Sequence, residues 1–205
     1  MEIMNNKFYL ICIKDLPQVA SAFAPESTKL AHDLIDDLED LNELPFDLNL
    51  VKLFERNGEL AKSDYLGDLQ DIWLDYQPNS LAWPLFSERL KNIIEQIRND
   101  QDEFDWILAK VNGNNERRNY YILRFQRMYD VLDVKKTMYV PGTRNIIKPY
   151  FSLQKVRHLT VFTTPSEFNL WKIKSRLYIN DNLRRIIQRE KLTGITFEKA
   201  RVKND

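Results

Sequence analysis

The clearest periodic stretch of the chain runs from Ser27 to Pro45. Leu30, Leu34, Leu38 and Leu41 recur at steps of four, four and three. With Ala31 and Ile35 they fill one arc of about 140° at ~100° per residue. Asp33, Asp36, Asp37, Glu39, Asp40 and Glu43 fill the opposite side. The pattern predicts an amphipathic helix over Thr28–Asn42, ended by Pro45. Before it, Lys7–Ile13 reads as a first strand, and Leu16–Glu26, which holds Pro17 and Pro25, reads as loop. After it, Leu48–Phe54 reads as a second strand, followed by a turn at Asn57-Gly58.

Residues 59–82 show no clear period and contain Trp73 and Pro78. Phe104–Val111 and Tyr120–Met128 flank Asn112-Gly113-Asn114-Asn115, a hairpin signal. In the second of these strands Tyr121, Leu123 and Phe125 form one row, and Tyr120, Ile122 and Met128 the other. Apolar residues on both rows predict a sheet packed on both faces. Residues 129–150 are turn-like around Pro141-Gly142 and Pro149, and further strands are expected near Val156–Thr163 and Glu167–Lys172.

Two stretches repeat one layout, 93 positions apart: Leu85–Glu95 lines up with Tyr178–Gln188. Leu90/Leu183, Ile93/Ile186 and Ile94/Ile187 are identical, while Ser87/Asn180, Glu88/Asp181 and Lys91/Arg184 keep their chemistry. Ser and Asn are both good helix N-caps, and the acid that follows suits the positive end of a helix dipole. Each copy leads into a candidate strand, Phe104–Val111 or Ile195–Arg201, and Thr193-Gly194 reads as the left-handed close of the second helix. So long a period excludes a solenoid. It leaves two readings open, a duplicated strand–helix–strand unit or a recurrent local device. The whole pattern predicts an α+β fold of antiparallel strands with about three helices, in a single compact domain over residues 1–205.

Charge adds a polarity that the net value of zero conceals. Residues 1–105 carry 9 Lys/Arg against 22 Asp/Glu, and residues 106–205 carry 21 against 8. Either the two halves attract each other and are otherwise solvated, or one face meets a partner of opposite sign. Cys12 is the only cysteine, which excludes an internal disulfide and fits a reducing compartment. The N-terminus lacks the pattern of a secretory signal, and no apolar run approaches the roughly 20 residues that span a bilayer. A cytoplasmic protein is expected, with no membrane association.

Candidate chemistry is sparse. The two histidines are His32, four residues before Asp36, and His158, in an alternating stretch with no acid or nucleophile at motif spacing. Both read as structural. No nucleophile elbow, zinc-protease motif or glycine-rich phosphate loop is present, and five glycines are few for a nucleotide cradle. Asp130 and Asp133 could serve acid–base work only if both faced a pocket, and acids so placed commonly form turns. No catalytic residue, metal ligand or cofactor site is therefore expected. Aromatics beside arginines at Arg117–Arg127 raise the alternative of nucleic-acid binding. A basic patch continuous across Arg124, Arg127, Arg184 and Arg185 would support it.

Tyr120-Tyr121-Ile122-Leu123, Asp130-Val131-Leu132-Asp133, Glu167-Phe168-Asn169-Leu170 and the closing Leu192-Thr193-Gly194-Ile195-Thr196-Phe197 resemble a bacterial immunity-protein family. It is the family numbered eleven among the immunity proteins of polymorphic toxin systems, earlier catalogued as a domain of unknown function. Trp83-Pro84-Leu85-Phe86-Ser87-Glu88-Arg89-Leu90 resembles its central element. The likeness covers about Ser80 to Glu198, and divides the chain into an acidic part, residues 1–79, and a family-like part, residues 80–205. It implies a cytoplasmic protein that binds and neutralises a cognate toxin without catalysis or cofactor. The alternative is a regulatory module that binds nucleic acid or a small molecule. The motifs fix no contact residues. Charge points to Asp33, Asp36, Asp37, Asp40 and Glu43 as a solvent-facing ridge for a basic toxin domain.

Overall fold

The computed structural model describes residues 6–14, 19–69 and 71–203. In chain order come β1 (Phe8–Ile13), β2 (Ala20–Phe23), α1 (Ala31–Asp37), β3 (Leu48–Arg56), β4 (Glu59–Ser63) and β5 (Leu85–Ser87). Then follow α2 (Glu88–Ile97), β6 (Phe104–Gly113), β7 (Glu116–Phe125), β8 (Met138–Tyr139), β9 (Ile146–Lys148) and β10 (Phe151–Ser152). After α3 (Leu153–Val156) and β11 (Val161–Phe162), a 3-10 helix spans Phe168–Trp171. The chain closes with β12 (Leu177–Asn180), α4 (Asp181–Arg189), β13 (Ile195–Lys199) and β14 (Val202–Lys203). The class is α+β, as the sequence pattern predicts. Pairing is mainly antiparallel, with short parallel contacts between β3 and β6 and between β10 and β14.

The two repeated stretches fold alike. Ser87 Oγ accepts from the Leu90 amide at 3.2 Å, and Asn180 Oδ1 accepts from the Leu183 amide at 2.9 Å. Leu90, Ile93, Ile94, Leu183 and Ile187 are buried in one cluster, with Ile186 packed against it. The likeness extends beyond the aligned residues. β5 and β6 both pair antiparallel with β7, which lies between them, and β12 and β13 both pair antiparallel with β1. Each helix thus crosses over one intervening strand. In the first unit Ser87 stands opposite Tyr120 and Phe86 opposite Tyr121. In the second Asn180 stands opposite Phe8 and Ile179 opposite Tyr9. The basic residue one turn past each cap then covers the equivalent ring: Lys91 Nζ lies 4.9 Å from the Tyr121 centroid and the Arg184 guanidinium 4.5 Å from that of Tyr9. The two units share one local architecture, a strand, a capped helix and a second strand that flank one middle strand. The middle strand follows the helix in the first unit, as β7, and precedes it by most of the chain in the second, as β1.

Asp75 joins the units at their seam. Its carboxylate accepts from Ser87 Oγ at 2.6 Å and from the Thr193 amide at 2.8 Å, so it ties the start of α2 to the end of α4. Replacing Ser87 or Asn180 by alanine should each cost about 1–2 kcal/mol. Chemical denaturation of the two variants measures this, and unchanged midpoints in both would remove the capping argument.

The sheet β2-β3-β6-β7-β5 is packed on both faces. Phe86, Phe104, Leu123 and Phe125 face the cluster shared with α2, α4 and the sheet β11-β12-β1-β13. Leu85, Ile107, Ala109, Val111, Tyr120 and Ile122 face a second cluster, closed by Leu34, Ile35 and Leu38. Met128 is exposed beyond the end of β7 and continues neither row.

Several expectations need correction. The acidic helix is α1, seven residues long, not Thr28–Asn42. Leu30 and Leu41 are exposed, and the chain leaves the helix to run beside β6, where the Leu108 amide donates to Asn42 O and the Leu44 amide to Leu108 O. Within the stretch expected to be loop, Ala20–Phe23 is a strand paired to β3, while Leu16 and Pro17 fall outside the described residues. The Asn57-Gly58 turn, with both residues at positive φ, leads into β4, a strand missed in residues 59–82. The β6–β7 turn is confined to Asn114-Asn115, also both at positive φ. Glu167–Lys172 holds the 3-10 helix rather than a strand, and Leu153–Val156 is helical. α4 is closed by Lys191 at φ 54°, with the Leu192 amide donating to Ile187 O. Gly194 serves a different contact, because a Cβ there would lie 2.5 Å from the Tyr76 carbonyl oxygen.

Candidate functional site

Asp33, Asp36, Asp37, Asp40 and Glu43 are all exposed, on α1 and the turn and bridge that follow it. They lie along one continuous segment but only in part on the helix, and most have partners. Asp33 lies 3.3 Å from His32 Nε2, Asp37 accepts from Lys29 Nζ at 2.5 Å, and Asp36 accepts from Asn169 Nδ2 at 2.6 Å. Glu43 pairs with Lys110. Asp33, Asp36 and Asp40 keep the greater part of the ridge's negative charge, because no lysine or arginine lies within ion-pair distance of them among the described residues.

Part of the polarity of the chain is spent in ion pairs between its two halves. Cations of the second half meet acids of the first at Lys110–Glu43, Arg117–Asp47, Arg124–Asp105, Arg127–Glu103 and Lys172–Glu39. Arg124 goes furthest. Its side chain is 8% exposed, forks onto both Asp105 oxygens at 2.8 and 2.6 Å, and donates to the Leu38 and Glu39 carbonyls. Arg184 and Arg185 both pair with Asp181. Burial pushes the Asp181 carboxyl up, but the two arginines outweigh it and hold it below the usual carboxylate range. The four arginines whose continuity would mark a nucleic-acid face are therefore each matched to a carboxylate.

The remaining chemical candidates are also placed. His158 is exposed just past α3, with Arg157 Nε donating to its Nε2 at 2.9 Å. Asp133 accepts from the Lys135 and Lys136 amides and forms a turn, and Asp130 pairs with Lys155. Among the described residues no group of three or more His, Cys, Asp or Glu is placed to hold a metal ion.

The sequence reading missed an apolar groove of about 700 Å³. Met128, Val134, Tyr139, Ile146, Phe168 and Trp171 line it, with Asp130 and Glu167 also in its wall. Val134 is 64% exposed and Phe168 85%. Phe168 also stands at φ 54°, a region that bulky side chains rarely adopt. The same 3-10 helix touches the acidic ridge, through Asn169 on Asp36 and Lys172 on Glu39 at 2.6 Å. Ridge and groove therefore adjoin, and an exposed aromatic stands where they meet. The signal was present in Phe168-Asn169-Leu170-Trp171, whose apolar residues do not alternate as a half-buried strand would require.

A model of the Immunity protein family (Imm11) matches residues 64–202. The chain belongs to that family. The match starts earlier than the Ser80 expected from the motifs and takes in the end of the acidic part, residues 1–79. It includes α2, α4, the β6–β7 hairpin and every groove residue, but α1 and its acids lie outside it. A search of curated proteins finds no match. An immunity family implies a protein toxin as partner. No helix among the described residues is long and apolar enough to cross a membrane.

Proposed function

We propose that this Imm11 protein acts in the cytoplasm of a bacterium carrying a polymorphic toxin system. It binds the toxin domain of its own system stoichiometrically and blocks it without catalysis. The observation that carries the reading is the adjoining groove and ridge. A solvent-facing apolar groove beside charged residues has the anatomy of a protein interface, with anchors at the centre and a polar rim. The toxin is basic where it meets Asp33, Asp36 and Asp40, and its apolar side chains enter beside Phe168. Family membership supplies the class of partner, and the surface supplies a place for it.

Charge-steered association slows as salt screens it. Asp33→Asn, Asp36→Asn, Asp37→Asn and Asp40→Asn combined should slow association with the toxin encoded beside this protein by about tenfold at low salt. The difference should shrink as salt is added. Surface plasmon resonance across a salt series reads both effects. An on-rate and salt slope equal to those of the parent would reduce the ridge to a solvated face, and absence of any complex would remove the proposed function itself.

A further inference from the structure

A second cleft, of about 320 Å³, lies beside the apolar groove and shares Arg144, Ile146, Pro165, Ser166 and Glu167 with it. Its charge is of opposite sign to the ridge. Three cations line it, Arg144, Lys174 and Arg176, against one acid, Glu167. Lys174 follows buried Ile173 and is itself partly buried. Its Nζ donates to Thr164 O at 3.2 Å and Thr164 Oγ1 at 3.1 Å, neither of which carries charge. Burial, followed by the nearby Arg176, holds this ammonium below the ordinary lysine range. Other half-sequestered cations of the chain are matched differently: Arg124 has Asp105, Lys172 has Glu39 and Lys52 has Asp68. Among the described residues no carboxylate lies within ion-pair distance of Arg144, Lys174 or Arg176. Ser166 Oγ, in the same wall, is buried without a hydrogen-bond partner.

Removing a cation from water without a counter-charge is costly, and like charges around one cleft add to that cost. An anion seated there would neutralise the cluster and accept from the Ser166 hydroxyl. Two guanidinium forks suit a group with two or three oxygens, while Lys174 supplies a point charge. The volume is at the low end for ligand pockets and suits a small group. We propose that the cleft formed by Arg144, Lys174 and Arg176 is a binding site for an oxyanion, the phosphate or carboxylate group of a small ligand.

The test is isothermal titration of the full chain at constant ionic strength, with inorganic phosphate in one arm and citrate in the other. Saturable binding of at least one anion is expected, and the arm that responds identifies the chemistry. Lys174→Met and Arg144→Gln should each weaken it by about tenfold or more, the loss of one charged hydrogen-bonding partner. Arg144 lies on an exposed turn, so its substitution tests the site without disturbing the core. No saturable binding of either anion, or binding unchanged in both variants, overturns the proposal. The cleft shares a wall with the groove, and Lys174, which lines the cleft alone, supplies the variant that tests the anion site apart from the proposed toxin surface.

Discussion

Replacing Arg124 with alanine should lower the stability of the protein by about 3 kcal/mol, the low end of the range for breaking a buried ion pair. Two losses add to give this figure. Asp105 loses its bidentate partner, although its side chain is 39% exposed and water restores part of the interaction. The carbonyls of Leu38, Glu39 and Leu41 lose a donor at 2.5, 2.9 and 3.2 Å, and Leu38 is fully buried. These carbonyls lie at and beyond the end of α1, where backbone acceptors have no helical partner and a cation is favoured. Arg124→Lys should recover only part of the loss, since one ammonium cannot fork onto Asp105 and reach the carbonyls together. Urea denaturation measures both variants, and an Arg124→Ala midpoint equal to the parent's would sink the account. The same substitution should loosen the acidic turn and slow toxin association, although Arg124 itself is buried.

Arg124 also shows why the acidic helix was misjudged. The leucine spacing is a local signal, and it located Leu34 and Leu38 on the buried side correctly. What ends the helix is a guanidinium 86 residues away in sequence, together with the ladder contacts that Asn42 and Leu44 make to Leu108. Nothing in the local pattern carries that information. Pro45 can stop a helix, but here tertiary contacts stop it first.

The repeated helices were legible for the opposite reason. An N-cap, an acid behind it and an apolar triad lie within one stretch of chain, and each acts on its own backbone. The middle strands of the two units were not legible. Tyr120-Tyr121 and Phe8-Tyr9 are equivalent in register, yet one pair follows its helix and the other precedes its helix by most of the chain. A comparison at a fixed offset cannot find them. Lys91 and Arg184 did align, but their shared role over a tyrosine ring needed those strands to be placed first. The close of α4 was misassigned because Gly194 is the residue type that favours positive φ. Both Lys191 and Gly194 adopt it, but Lys191 does so at the helix end, while Gly194, at φ 75°, also allows the close approach to the Tyr76 carbonyl.

The candidate site divides along the same line. Exposed acids are visible in composition and spacing, so the ridge could be named before the fold was known. The groove is assembled from residues 128–134, 139–146 and 165–171, whose meeting is a property of the fold. The charge polarity was visible too, and the structure shows what part of it does. Five cross-half ion pairs bind the acidic and basic parts to each other, and Asp33, Asp36 and Asp40, which take part in none of them, are the acids proposed to steer a partner.

Phe168→Ala should weaken toxin binding by about 30-fold, as expected for an aromatic anchor worth roughly 2 kcal/mol, and leave the fold intact. Phe168 contributes little to packing, being 85% exposed. Its backbone also counts against the folded state, since a phenylalanine held at φ 54° stores roughly 1–3 kcal/mol of conformational strain. A bulky apolar residue kept exposed and strained is poorly explained by stability alone. Phe168→Gly separates the two contributions. It relieves the backbone and removes the ring, so its melting temperature should equal or exceed that of the parent while binding falls as far as in Phe168→Ala. Calorimetry for affinity and thermal unfolding for stability, run on both variants, supply the comparison. If both bind toxin as tightly as the parent, the groove is not the contact surface. If both unfold at markedly lower temperature, Phe168 has a packing role that its exposure conceals. Unchanged stability with lost affinity would identify the groove as the anchor of the complex, with the neighbouring acids steering the encounter.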